Sequence, residues 1–154
     1  MSNDSIETIY YKSIYRHGVD EKRRVQVPAK WRPSAPEFQF SIILWQPKGP
    51  ERESCLLVLG PDEWRVLVDK VKAMSYSDPN VQTLRRNIGK NSDRVTLDKA
   101  GRICLPEAMA KTVGLEKEAV LVGLLDRFEI WSPKQYEATS ALDDRSMPDA
   151  IKLI

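Results

Sequence analysis

The chain of 154 residues contains one histidine, His17, and two cysteines, Cys55 and Cys104. With so few imidazole and thiol groups, none of them at metal-ligand spacing, no bound metal or cofactor is expected. Each cysteine lies in an apolar, strand-like run, and both are expected to be buried free thiols. Long apolar runs are missing too. The longest, residues 119–125 with Gly123 inside it, falls far short of the roughly 20 residues that span a bilayer. Residues 1–7 are polar and acidic, where a signal peptide would start cationic and turn apolar, so a cytoplasmic location is expected.

Catalytic groupings are equally scarce. His17 sits among Tyr15, Arg16 and Asp20 with no serine or cysteine nucleophile motif beside it, and reads as a surface-strand residue. The acidic pairs Asp20-Glu21 and Asp143-Asp144 lack the separate partners that would raise one carboxyl, and read as solvated. A glycine-rich phosphate loop is absent. No catalytic residue and no small-molecule substrate is expected, so the chain does not read as an enzyme.

What is present is clustered positive charge. Residues 16–32 carry six basic side chains (Arg16, Lys22, Arg23, Arg24, Lys30, Arg32) against Asp20 and Glu21. Residues 85–102 again carry six (Arg85, Arg86, Lys90, Arg94, Lys99, Arg102) against Asp93 and Asp98. The two windows together hold +8, so the rest of the chain holds −6 within an overall +2. Such concentration suits an anionic partner, of which nucleic acid is the commonest; the other reading is a solvated charged face.

The two basic windows lie on an internal repeat. Asp20-Glu-Lys-Arg-Arg-Val-Gln-Val-Pro28 aligns with Asp98-Lys-Ala-Gly-Arg-Ile-Cys-Leu-Pro106 at an offset of 78 residues. Asp20 pairs with Asp98, Arg24 with Arg102, and Pro28 with Pro106. Downstream, residues 42–45 match 120–123 at the same offset, and residues 56–64 match 128–136 at an offset of 72. The difference is a longer first-copy loop containing Pro47, Gly49 and Pro50.

Each copy follows one pattern. After the Asp-x-x-x-Arg turn, Val25-Gln26-Val27 and Ile103-Cys104-Leu105 alternate as half-buried strands do. Pro28 and Pro106 end pairing because proline offers no N–H, and Pro106 opens a short helix stopped by Gly114. Later apolar runs are strands, and each copy closes with a proline-started helix, at Pro61 and at Pro133, where Ser132 and Gln135 have capping-box spacing. Trp64, Leu67, Val68, Val71 and Met74 form one helical stripe, read as core or subunit contact. Val81, Leu84 and Ile88 mark a short linking helix.

At each turn Asp can bond the backbone ahead of it, and Gly101 can take positive φ without strain. Arg24 and Arg102 follow the bend and either point outward to phosphates or fold back onto Asp20 and Asp98. Arg23 stands at the glycine position of the first turn, which therefore either bends differently or strains a non-glycine residue. With Lys22 it makes that turn the densest basic point and the expected main anion contact.

These tandem turns resemble the MraZ family of bacterial transcriptional regulators. The likeness runs from Tyr11 through Tyr15-Arg-His17 and residues 20–32, the residues 56–64, Asp98 to Pro106, residues 117–123 and Arg127-Phe-Glu-Ile-Trp-Ser-Pro133, near Tyr136. It implies an α+β, mainly β fold in which two AbrB-like (SpoVT-AbrB) modules interlock as swapped hairpins into one β-barrel capped by helices. The implied boundaries are an extension at 1–13, modules at 14–61 and 92–135, linking helices at 62–91 and a tail at 136–154. The resemblance also implies ring-shaped homo-oligomers in the cytoplasm or nucleoid, binding double-stranded DNA at short repeats before the division and cell-wall gene cluster. Its DNA-contacting arginine falls here on Arg24 and, by the repeat, on Arg102. The expected DNA-binding set is Arg24, Arg23, Lys22, Arg16, Arg102 and Lys99, with Asp20, Asp98, Gly101, Pro28 and Pro106 shaping the motif. Arg23 and Ser13 replace usual glycines, and extra residues precede the family's usual start. The alternative reading is an AbrB-like structural or protein-binding module, antitoxin-like, that binds no specific DNA.

Overall fold

A computed structural model describes residues 8–46 and 53–154. The acidic residues 1–7 and the loop expected at Pro47, Gly49 and Pro50 lie outside the described residues. The architecture is α+β and mainly sheet, with eight strands and four α-helices in the described residues. In order these are β1 (Ile14–Gly18), β2 (Arg24–Gln26), a 3-10 turn (Ala29–Trp31), β3 (Gln39–Trp45), β4 (Cys55–Leu59), α1 (Pro61–Lys72) and α2 (Pro79–Lys90). The chain continues through β5 (Ser92–Thr96), β6 (Arg102–Cys104), α3 (Glu107–Thr112), β7 (Glu118–Gly123), β8 (Phe128–Trp131) and α4 (Pro133–Ala150), which ends in a second 3-10 turn (Ile151–Leu153).

Local chemistry sets the helix ends. Proline opens α1, α2 and α4, where its missing N–H would have no helical partner. Ser132 Oγ accepts from the Gln135 N–H at 3.3 Å, as the capping-box spacing requires. Gly114, at φ +74°, terminates α3. The first copy's equivalent of α3 is only the 3-10 turn Ala29–Trp31, because Pro33 follows and cannot continue a helix.

Six strands form one antiparallel sheet in the order β1-β7-β8-β4-β3-β5, and β2 and β6 form a separate two-stranded ribbon. β1 of the first copy pairs with β7 of the second, Tyr15 opposite Leu121. β5 of the second copy pairs with β3 of the first, Phe40 opposite Val95. The copies therefore exchange strands and share one sheet. The pairing stops short of the expected closed barrel. β2 and β6 are three residues long and are cut off by Pro28 and Pro106, so they pair with each other, Val25 opposite Ile103, with only an isolated Val19–Val25 bridge toward the strand before.

The apolar runs make sense in this layering. β4 is buried at all five positions because it is central and covered on both faces. Leu56 and Val58 join Phe40, Ile42, Leu121, Phe128 and Ile130 in the main core, which the ribbon closes with Val25, Val27, Ile103 and Leu105, beside Trp31. On the opposite face Leu57 and Leu59 meet Trp64 and Leu67 of α1, while Cys55, Val120 and Trp131 meet Tyr136 of α4. The helical stripe is thus partly core: Val71 is buried and Met74 exposed.

The two thiols, both expected to be buried, differ. Cys55 is fully buried, and burial pushes its thiol pKa well up, but Cys104 is exposed. In the alternation Ile103-Cys104-Leu105 the flanking residues take the core face and Cys104 takes the solvent face of the ribbon.

Candidate nucleic-acid interface

The ribbon places the two turns side by side. In the first, Asp20 Oδ1 accepts from the N–H groups of Lys22 at 3.0 Å and Arg24 at 2.8 Å, while Arg24 Nε donates to Oδ2 at 2.7 Å. In the second, Asp98 Oδ1 accepts from Ala100 and Arg102, both at 2.9 Å, and Arg102 Nε donates to Oδ2 at 3.2 Å. The aspartates shape the bends through the backbone and the arginines fold back upon them. Both carboxyls titrate below the usual range. For Asp20 the chief cause is the Arg24 N–H, with the Arg24 side chain adding to it; for Asp98 it is the Arg102 N–H, helped by the nearby Arg102 charge.

The turns also meet each other. Arg102 Nη1 lies 4.0 Å from Asp20 Oδ2, so both motif arginines converge on one carboxylate. Across the ribbon Gln26 Nε2 donates to the Ala100 carbonyl at 2.9 Å, and Cys104 Sγ lies 3.2 Å from the Lys22 carbonyl. These are equivalent contacts in the two copies, so the ribbon has an approximate internal twofold. Lys22 and Lys99 are exposed at the turn tips.

Arg23 resolves the open question about the first turn: it sits at φ +60°, where Gly101 of the second turn sits at +80°. Its Nε donates to the Leu105 carbonyl at 3.1 Å. Ser13, the other residue at a usual glycine position, is at φ +82°. Arg32, a member of the first basic window with no assigned role, donates from Nε to the Val27 carbonyl at 2.9 Å. The signal for it lay in the repeat, where Arg32 aligns with Ala110 while Arg23 aligns with Gly101.

Arg16 stands apart from the turn cluster, on β1, with Nη1 3.4 Å from Glu118 of β7. Pro28 and Pro106 both precede a helical turn with nearly equal dihedrals, φ −53° and −57°. His17 is stacked parallel to Tyr15 at 6.2 Å. Among the described residues no group of three His, Cys, Asp or Glu side chains is placed to hold a metal ion. Nor is any helix of the described residues long and apolar enough to cross a membrane.

The fold and site define a class: a duplicated chain whose copies exchange strands and present paired Asp-x-x-x-Arg turns from one ribbon. Residues 90–150 match the family model described as "MraZ protein, putative antitoxin-like". The chain is 35% identical over 128 residues to the Transcriptional regulator MraZ of Thermomicrobium roseum, covering 83% of this chain and 85% of that protein. It is 37% identical over 118 residues to the protein of the same name from Desulfitobacterium hafniense, covering 77% and 78%. With the one from Hydrogenovibrio crunogenus it shares 30% identity over 148 residues, 92% and 93% of the two chains. The chain belongs to the MraZ family.

Proposed function

We propose that this protein is a transcriptional regulator that binds double-stranded DNA through the paired turns, without enzymatic activity. The observation that carries the reading is the convergence of Arg24 and Arg102 on one exposed face of a rigid ribbon, with Lys22 and Lys99 at its edges. Guanidinium groups in this setting can leave exposed carboxylates for phosphates or for guanine edges. The relatives' printed name, Transcriptional regulator MraZ, supports the same role. Arg24 and Arg102 make the direct contacts, Lys22 and Lys99 the flanking phosphate contacts, and Arg16 an outer one; Arg23 adds charge at the first turn.

The finer reading comes with the family. The exchanged strands support an AbrB-like (SpoVT-AbrB) ancestry for the two copies. A ring of such subunits in the cytoplasm, on the nucleoid, would present several ribbons to repeats before the division and cell-wall gene cluster, gaining affinity through multivalency. The partly covered stripe on α1 supports self-association: Trp64, Leu67, Val68 and Val71, with Ile88 of α2, line an apolar groove of about 170 Å³.

The test is an electrophoretic shift with the DNA upstream of the protein's own gene. A retarded band at low salt that resists excess unrelated duplex is expected. Its absence at low salt overturns the regulator reading in favour of a protein-binding module.

A further inference from the structure

We propose that Arg23 and Arg32 are paired positioning residues, each supplying one guanidinium that locks a turn of one copy against the strand end of the other. Val27 and Leu105 are equivalent in the repeat, and each directly precedes a proline. Their N–H groups bond across the copies, Val27 to the Gly101 carbonyl at 2.8 Å and Leu105 to the Arg23 carbonyl at 2.9 Å. The ladder stops there, because Pro28 and Pro106 have no N–H to continue it, and the two carbonyls at its ends need another donor. Arg32 Nε supplies it to Val27, and Arg23 Nε supplies it to Leu105.

The two guanidiniums reach these equivalent places by different routes. A β-carbon at Gly101 would run into the Arg32 side chain, so the second turn needs glycine for space as well as for φ. In the other half the residue equivalent to Arg32 is Ala110, which leaves room, and Arg23 at the glycine position fills it from the turn side. Glycine with a distant arginine, or arginine with a distant alanine, thus gives the same hydrogen bond. This explains how a non-glycine residue persists at φ +60°: the strain is offset by a bond that glycine could not make. Each clamp lies one residue from a motif arginine, Arg24 or Arg102, whose direction it holds. The effect on DNA rests on the function proposed above; the clamp itself does not.

The experiment is amide hydrogen exchange on the full chain without DNA, reading the Val27 and Leu105 N–H groups, with thermal unfolding alongside. Arg32→Ala and Gly101→Arg alone should each speed Val27 exchange by about tenfold or more, the first by losing the donor and the second by collision. Combined, they should restore Val27 to within about threefold of the parent, because the new guanidinium takes the vacated place. A double variant no better than the worse single overturns the proposal. Arg23→Met tests the other half and is mild enough to fold whatever Gly101→Arg does. It keeps an unbranched stem but loses every N–H donor, so Leu105 exchange should rise about tenfold while Val27 is unchanged. Unchanged Leu105 exchange would show that no bond from Arg23 holds that strand end, and overturns the proposal. If neither the parent nor any variant binds DNA, the regulator reading fails while exchange still decides the clamp.

Discussion

Arg24 donates through Nε to Asp20 at 2.7 Å, yet a third of its side chain stays exposed, and Arg102 stands in the same state beside Asp98. An exposed pair of this kind adds little stability, so a phosphate can compete for the guanidinium. Arg24→Ala and Arg102→Ala should each weaken binding to the preferred DNA by about 10- to 100-fold, with circular dichroism and subunit mass unchanged. The sequence alone favoured Arg24, from its neighbours Lys22 and Arg23; the approximate twofold of the ribbon predicts comparable losses instead. Asp20→Ala should behave differently, lowering the melting temperature more than Arg24→Ala does, because it leaves two backbone N–H groups without their acceptor. The aspartates also set a pH response. Their folded pKa values lie below the ordinary carboxylate value, so the unfolded chain binds protons first as pH falls. Stability from the turns is therefore complete above about pH 5 and declines through about pH 4 and below. Protection of the Lys22 and Ala100 N–H groups, relative to the intrinsic exchange rate at each pH, should fall there more than that of core amides, which nuclear magnetic resonance can follow.

At the scale of elements, Glu129 on β8 carries a second, opposite pH signature. It lies among Cys55, Trp131 and α4, accepts from Trp131 Nε1 at 2.9 Å, and is pushed up in pKa by burial. For a raised carboxyl the folded chain holds the proton longer, so the destabilisation is absent below the unfolded pKa and complete above the folded one. Glu129→Gln keeps an acceptor for Trp131 and should raise the melting temperature at neutral and alkaline pH, with the gain shrinking toward pH 4. A gain independent of pH would assign the effect to packing. The elements themselves were largely readable. Proline at Pro61 and Pro133, the Ser132 cap and the Gly114 stop are local signals, and the helices begin and end on them. The Asp-x-x-x-Arg turns were readable for the same reason, since their bonds span four residues. Long-range facts were not. Whether β2 and β6 close a barrel or form a ribbon depends on which edge their three residues find. The exposure of Cys104 follows from that choice, because the same alternation fits either face until a partner strand selects one. Arg32 was visible as charge, but its bond to Val27 becomes meaningful only against Arg23 and Leu105, which lie in the other half of the site.

For the whole molecule, the exchange of strands means that neither copy completes a sheet alone, so the chain folds as one unit and offers both turns on one face. On the proposed reading a single ribbon would cover only a few phosphates, and specific binding would call for several ribbons on one duplex. Light scattering at micromolar concentration should therefore give a mass several times 17.6 kDa; a monomer mass would remove the multivalent mechanism. With two or more subunits engaged, roughly six to ten phosphate contacts form, and affinity should fall about a thousandfold to a hundred-thousandfold between about 50 and 200 mM salt. Lys22→Ala should make that slope shallower by about one unit per engaged subunit while leaving the preference among DNA sequences unchanged, as expected of a phosphate contact. Geometry then adds a condition that charge does not. Neighbouring subunits reach the same face of the duplex only when their sites recur at whole helical turns, roughly every 10 bp. Inserting about half a turn, roughly 5 bp, between adjacent repeats should send one ribbon to the far side and reduce affinity toward that of a single repeat, whereas inserting a full turn should restore much of it. A binding curve that followed salt but ignored spacing would leave a basic protein coating DNA non-specifically, and the proposed ring would have no part in choosing the site.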